Sequence, residues 1–176
     1  VRMLHARGIE ILVFLPMSHA ERRIEMPLED FFSVSIGRSI AYPDMHRVAD
    51  HNRASVTIIF NQLRKLGYRR FAMDITEVAD RRTDYAWRAG FLQEQSRLRP
   101  EEEATLLVAS PDITYHEHQQ RIVPGWLKSF GAEVIITINS IRGIRWHSRH
   151  WNLSIPEDLG YACLSCDSVS GPASGI

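Results

Sequence analysis

Cysteine is almost missing from this chain: 176 residues hold two, Cys163 and Cys166, set as one C-x-x-C. A single such pair, without a second pair or histidines at ligand spacing, makes no zinc site. A redox pair would open a helix, whereas Cys163 falls in an apolar, strand-like run. Two near-adjacent cysteines do not decide the compartment. Excess charge is absent too: 21 Lys and Arg balance 21 Asp and Glu. Zero net charge leaves no field to gather nucleic acid, so this segment is a poor DNA binder by itself. No apolar run approaches the roughly 20 residues that cross a bilayer. The opening, Val1-Arg2-Met3-Leu4-His5, reads as the end of a helix and not as a secretion signal. No internal repeat of about 20–50 residues occurs. Catalytic signatures are missing as well: there is no P-loop, G-x-G-x-x-G, G-x-S-x-G or H-E-x-x-H. No nucleophile is assembled with a base, so neither an enzyme nor a metal or cofactor is expected. His116/His118 and His147/His150 read as surface histidines, and Glu101-Glu102-Glu103 as a solvated loop.

What is present is an ordinary globular composition, 44% hydrophobic and 24% charged, in a length that suits one domain. The most informative stretch is residues 47–76. Val56, Ile59, Phe60, Leu63 and Leu66 recur at helical spacing, and Gly67 follows as a helix stop. Phe71 to Ile75 is then a short apolar run, as in a parallel strand buried on both faces. The rest alternates in the same way. Strands are expected at 9–15, 31–36, 70–75, 105–109, 134–138 and 159–164. Helices are expected at 52–66, 84–97, 115–130 and 141–152, with a short one within 18–30. Pro124 must kink or restart the 115–130 helix, and 76–83 reads as a charged loop. Such alternation argues for parallel sheets flanked by helices, whose ligands sit at the carboxyl ends of strands. That rule points to the loops after Ile75, Ala109, Ile138 and Leu164, with a crossover near Asp50.

Three segments carry a family resemblance in their order and spacing. They are Asp50 through Leu66-Gly67-Tyr68-Arg69-Arg70, then Arg88-Ala89-Gly90-Phe91, then Ile155-Pro156-Glu157-Asp158-Leu159-Gly160-Tyr161. Together they resemble the effector-binding domain of the LacI/GalR family of bacterial transcription regulators, over most of residues 7–167. The resemblance implies an α/β fold of the periplasmic-binding-protein-like type I, with parallel sheets flanked by helices in two lobes. Residues 1–48 would be part of the N-terminal lobe, 49–168 the C-terminal lobe and 169–176 a crossover or tail. Both ends look cut, and the DNA-binding helix-turn-helix is not in this sequence. By the same resemblance, a small-molecule effector, a sugar or related metabolite, binds between the lobes. It would modulate operator binding by a cytoplasmic homodimer with no membrane partner. The alternative is a periplasmic sugar-binding protein of a transport system.

Site candidates follow. Arg81 and Thr83 match the loop with which the family contacts effectors, and an arginine there can fork two hydrogen bonds to a hydroxyl pair, a carboxylate or a phosphate. Thr83 or Asp80 could equally cap a helix. Asp50 suits a ligand hydroxyl at the crossover, or a helix N-cap or crossover brace. The arginine usual three residues before the glycine of "G-F" is replaced by Trp87, which suits stacking on a sugar or packing in the helix. Ser165 stands where the family often has an aspartate, with Asp167 two residues on. Asn139, after the 134–138 strand, completes the set. Asp158 is expected to shape the turn into the last strand.

Overall fold

The computed structural model describes residues 1–17, 23–138 and 142–164. Helix α1 (Arg2–Ala6) ends at Gly8, whose φ of 67° supplies the left-handed turn into β1 (Ile11–Phe14). Strands β2 (Phe32–Ile36) and β3 (His46–Val48) follow. They form a three-stranded parallel sheet in the order β1-β2-β3, with Ile11 opposite Phe32 and Val34 opposite His46. The three-residue strand β3 was not anticipated: it is too short to show an alternation. The helix expected within 18–30 finds no counterpart in 23–30, and 18–22 lie outside the described residues. Ile11, Val13, Leu15, Phe32 and Val48 leave this sheet with an exposed apolar surface.

Helix α2 (Asn52–Lys65) opens the larger part of the chain. Val56, Phe60 and Leu63 form its buried stripe, and Gly67, with φ 98°, ends it where the sequence places the stop. Strand β4 (Arg70–Thr76) is buried along its interior. Helix α3 (Glu77–Arg82) and helix α4 (Ala86–Gln95) come next, then β5 (Glu103–Ala109). A short helix α5 (Tyr115–Glu117) runs through a π-helical turn at His118–Ile122 into α6 (Val123–Phe130). Strand β6 (Val134–Thr137), helix α7 (Arg142–Trp151) and strand β7 (Gly160–Cys163) complete the order. The four strands form a parallel sheet, β5-β4-β6-β7, covered on both faces. One face packs Phe71, Met73, Ile75, Val134 and Ile136 against Val56, Phe60, Leu63 and Phe91 of α2 and α4. The other packs Ala72, Ile135 and Tyr161 against Val123, Leu127 and Trp151 of α6 and α7. Each large side chain buried here stabilises the fold by about 1.5–3 kcal/mol before conformational entropy is set against it. No helix among the described residues is long and apolar enough to cross a membrane.

Three expectations are corrected, and the one for Pro124 is met. The charged loop at 76–83 is mostly helix: the Thr76 hydroxyl accepts from the Ala79 N–H at 3.2 Å, and Arg81 reaches back one turn to Glu77 at 3.0 Å. Pro124 does restart a helix, but only after the π turn, and it sits in the first turn of α6, where a missing N–H costs nothing. His118 and His147 are buried, not on the surface. Glu102 is buried as well, held by Arg64, which bridges it and Glu94 at 3.1 and 2.8 Å. Burial raises the Glu102 carboxyl, and the Arg99 N–H and Arg64 outweigh it, so the net shift is downward. Asp158 shapes the turn before β7 as expected, accepting from the Ser154 N–H at 2.8 Å.

Candidate functional site

At the carboxyl ends of the strands, a cavity of about 420 Å³ lies between the two sheets. The first sheet contributes Pro16, Gly37, Arg38 and Ser39, and the crossover into α2 contributes Ala49, Asp50 and Asn52. From the second side come Ala79, Arg82 and Thr83 of α3 and its end, Trp87 of α4, and Ile138 after β6. A second concavity of about 260 Å³ shares Arg38, Asp50, Asn52 and Thr83 with it and extends toward Arg53 and Asp84. The first of these suits a small molecule, since such sites span roughly 300–1,000 Å³. A larger concavity, about 660 Å³, lies at the opposite end of the first sheet, around Phe31, Phe32 and His46 where β2 and β3 begin. Ligands of parallel sheets sit at the other end, so the smaller cavity is the better candidate.

Local folding decides which side chains reach it. The cap of α2 is His51, whose Nδ1 accepts from the Ala54 N–H at 3.1 Å. Asp50, relieved of capping, stands exposed on the rim of both concavities. Because 77–82 is a helix, Arg81 and Arg82 point about 100° apart. Arg81 turns outward: Tyr85 first, then Glu77, hold its guanidinium above the ordinary arginine range. Arg82 lines the cavity in its place, and its Nε is buried without a hydrogen-bond acceptor among the described residues. Thr83 also lines it, with its hydroxyl donating to the Asp80 carbonyl at 2.9 Å at the end of α3. Asp84 and Tyr85 then take left-handed φ values of 58° and 57°, a turn that non-glycine residues enter at a cost of about 1–2 kcal/mol each.

The one-residue displacement at Trp87-Arg88 has a similar consequence. Arg88 donates from Nε to Asp80 Oδ2 at 2.7 Å, and Asp80 is fully buried. Trp87 faces the cavity instead, with its Nε1 buried and lacking an acceptor. Asp50, Thr83 and Trp87 are therefore brought together; Arg81 is not. Asn139 and Ser165 lie outside the described residues. Arg38, Ser39 and Arg82 escaped the sequence reading. The strand-end rule could have found the first two had it been applied to the loop after β2. None of the described lining residues comes from the loops after β5 or β7.

On the other face of the second sheet lies a buried polar cluster. Asp74 of β4 meets His118 Nε2 at 2.7 Å through Oδ1, and accepts from Gln119 Nε2 at 2.7 Å through Oδ2. The Gln119 carbonyl takes the Trp151 indole N–H at 2.7 Å, and His147 stacks on Trp151 with ring centres 4.4 Å apart. Burial drives the His147 imidazole down to about 4, only partly opposed by Asp74. Burial, then Asp74, pushes the Tyr115 phenol up to about 12. No cluster of three or more His, Cys, Asp or Glu suited to a metal occurs among the described residues.

No protein-family profile and no curated protein matches the chain. Solved structures do. A LacI-family transcriptional regulator from Silicibacter pomeroyi aligns at 17% identity with a TM-score of 0.59, over 91% of this chain and 60% of that one. A LacI-family regulator from Bifidobacterium animalis subsp. lactis aligns at 14% identity with a TM-score of 0.62, over 91% of this chain and 59% of that one. A periplasmic binding protein/LacI transcriptional regulator from Alkaliphilus metalliredigens, solved with D-xylulofuranose, aligns at 14% identity with a TM-score of 0.59, over 91% and 58%. The chain thus spans about 60% of the length of these solved structures. Across nearly all of its own length, the chain has the α/β, periplasmic-binding-protein-like fold of the LacI-family regulators.

Proposed function

We propose that this chain is part of the effector-sensing domain of a LacI-type transcriptional regulator, with a small molecule, a sugar or related metabolite, held between the two sheets. The observation that carries this reading is the cavity lined from both sides, with Asp50, Arg82, Thr83 and Trp87 among the residues around it. Asp50, Arg82, Thr83 and Trp87 are the proposed ligand contacts, with Asn139 and Ser165 as further candidates from the sequence. In this reading residues 1–48 belong to the N-terminal lobe and 49–168 to the C-terminal lobe. A ligand touching both favours the closed arrangement by its difference in affinity for the closed and open states. That bias is what a regulator carrying DNA-binding heads, acting as a cytoplasmic homodimer, would transmit to its operator. The parallel to D-xylulofuranose in the Alkaliphilus protein supports a monosaccharide-sized ligand.

The competing reading, a sugar receptor of a transport system, uses the same fold. Reading the coding sequence upstream of Val1 separates the two: a helix-turn-helix supports the regulator, and a secretion signal the receptor. The cavity itself is tested by thermal denaturation against a panel of pentoses, hexoses, sugar acids and sugar phosphates. A compound should raise Tm, and Asp50→Ala should weaken it at least tenfold, a loss of about 1.4 kcal/mol. No stabilisation by any compound, or one that Asp50→Ala leaves unchanged, would count against the site.

A further inference from the structure

Resting on that reading, we infer that the ligand carries an anionic group, a carboxylate or a phosphate, and that Arg82 and Trp87 receive it. Neighbouring arginines already have partners. Arg81 is taken by Glu77, at 3.0 Å, and Arg88 by Asp80, at 2.7 Å. Arg53 donates to Gln93 at 2.7 Å. Arg82 makes no ion pair or hydrogen bond among the described residues, although its Nε is buried. A guanidinium group can only donate, and so can an indole N–H. Two donor-only groups, both with buried nitrogens lacking acceptors, thus line the same cavity.

A buried donor left without an acceptor costs roughly 1–3 kcal/mol, and more when it is charged. The fold tolerates both here, and the terminal nitrogens of Arg82, on a half-buried side chain, are the donors left for a ligand in the cavity. A sugar hydroxyl can accept, but it brings no charge to set against the guanidinium. A carboxylate or phosphate is an acceptor at every oxygen, and its bonds to arginine are about twice as strong as neutral ones. The lining points the same way: among its described residues the one carboxylate is Asp50. Asp50 lies on the rim shared with the second concavity, where it suits the hydroxyl-bearing part of the same ligand. The inferred ligand is therefore a polyhydroxylated acid or a sugar phosphate, oriented with its anion toward α3 and α4.

The test is a calorimetric titration of the full chain with a matched set: D-glucose, D-gluconate and D-glucose 6-phosphate, and the corresponding pentose set. The inference expects the aldonate or the phosphate to bind at least tenfold more tightly than the neutral sugar. Arg82→Gln should remove that preference without lowering the unfolding midpoint in denaturant. Arg82→Lys, which keeps the charge but loses the fork, should retain part of it. The arms with aldonate and phosphate decide which anion is recognised. A neutral sugar that binds as tightly as its acid, with Asp50→Ala still weakening it, would overturn the anion inference and leave the effector-site reading standing. Anion binding that Arg82→Gln does not change would also overturn it. Binding of none of the six compounds, or binding insensitive to both substitutions, would count against the inference and the cavity together.

Discussion

Arg81 and Arg82 are adjacent in sequence and have opposite fates, and the difference is one step of helical rotation. Arg81→Ala should leave ligand affinity within about twofold, because its guanidinium serves Glu77 and Tyr85 outside the cavity. Arg82→Ala should weaken binding at least tenfold. A titration giving the reverse order would restore the reading in which the 76–83 segment is a loop that presents Arg81. The sequence pointed to this segment but could not show that Arg82, and not Arg81, lines the cavity, because a loop assignment carries no rotational phase. Trp87 and Arg88 illustrate the same point: the displacement was visible, but the partner that takes Arg88, the buried Asp80, was not. Gly90 was legible as part of a motif and not as a contact. A Cβ there would lie 2.9 Å from Val56 Cβ and 3.1 Å from the Arg53 carbonyl, so Gly is what lets α4 approach α2. Gly90→Ala should cost roughly 1–3 kcal/mol, the usual range for overpacking, as read from denaturant unfolding. A neutral result would mean that the two helices can separate without loss.

Among the elements, those with a regular apolar pattern were the ones the sequence placed well. Helix α2 buries a stripe at helical spacing, and strands β4 and β6 are apolar runs buried throughout, so sequence and structure agree to within a residue or two. Helix α3 has no such stripe. It is charged on most sides, with Val78 exposed, and depends on its cap and on the Glu77–Arg81 pair. Thr76→Ala should therefore destabilise it by about 1 kcal/mol and speed amide exchange over 77–83. Unchanged exchange there would show that packing, not the cap, holds the helix. The π turn was illegible for a different reason: its widened turn breaks the 3.6-residue period just where His118 and Gln119 turn inward to Asp74. His118→Ala leaves the Asp74 carboxylate buried with one partner fewer, and the loss should be about 3 kcal/mol in chemical denaturation. A loss below about 1 kcal/mol would mean that Asp74 reaches water once the ring is gone.

At the scale of the molecule, the buried His147 gives stability a dependence on pH. Its imidazole titrates near 6.5 when unfolded and at about 4 in the folded chain. Between those values the unfolded chain takes up a proton that the folded chain refuses. The stability present above pH 6.5 is thus lost as pH falls toward 4, by on the order of 3 kcal/mol over the window. His147→Phe keeps a ring against Trp151 and should flatten the decline between pH 6.5 and 4.5; equal slopes in the two proteins would contradict the assignment. The two sheets also differ in how they are covered. The second is enclosed by helices on both faces, whereas the first exposes Phe32 at 75% and Leu15 at 71%. The isolated chain should accordingly enhance the fluorescence of a hydrophobic dye, and Phe32→Ser should reduce the signal. The sequence showed the alternation of strands and helices, but not which sheet would keep apolar residues exposed, because the exposed β1, Ile-Leu-Val-Phe, is as apolar as the buried β6, Val-Ile-Ile-Thr.

The central claim is that one small molecule is held from both sheets at once. Amide hydrogen exchange, with and without the tightest-binding member of the sugar, sugar-acid and sugar-phosphate panel, tests it most directly. The account predicts protection together at 37–39, 49–53 and 79–88, the segments that line the cavity from either side. Protection confined to one sheet, or found around 24–33 and 42–46 at the opposite end of the first sheet, would contradict it.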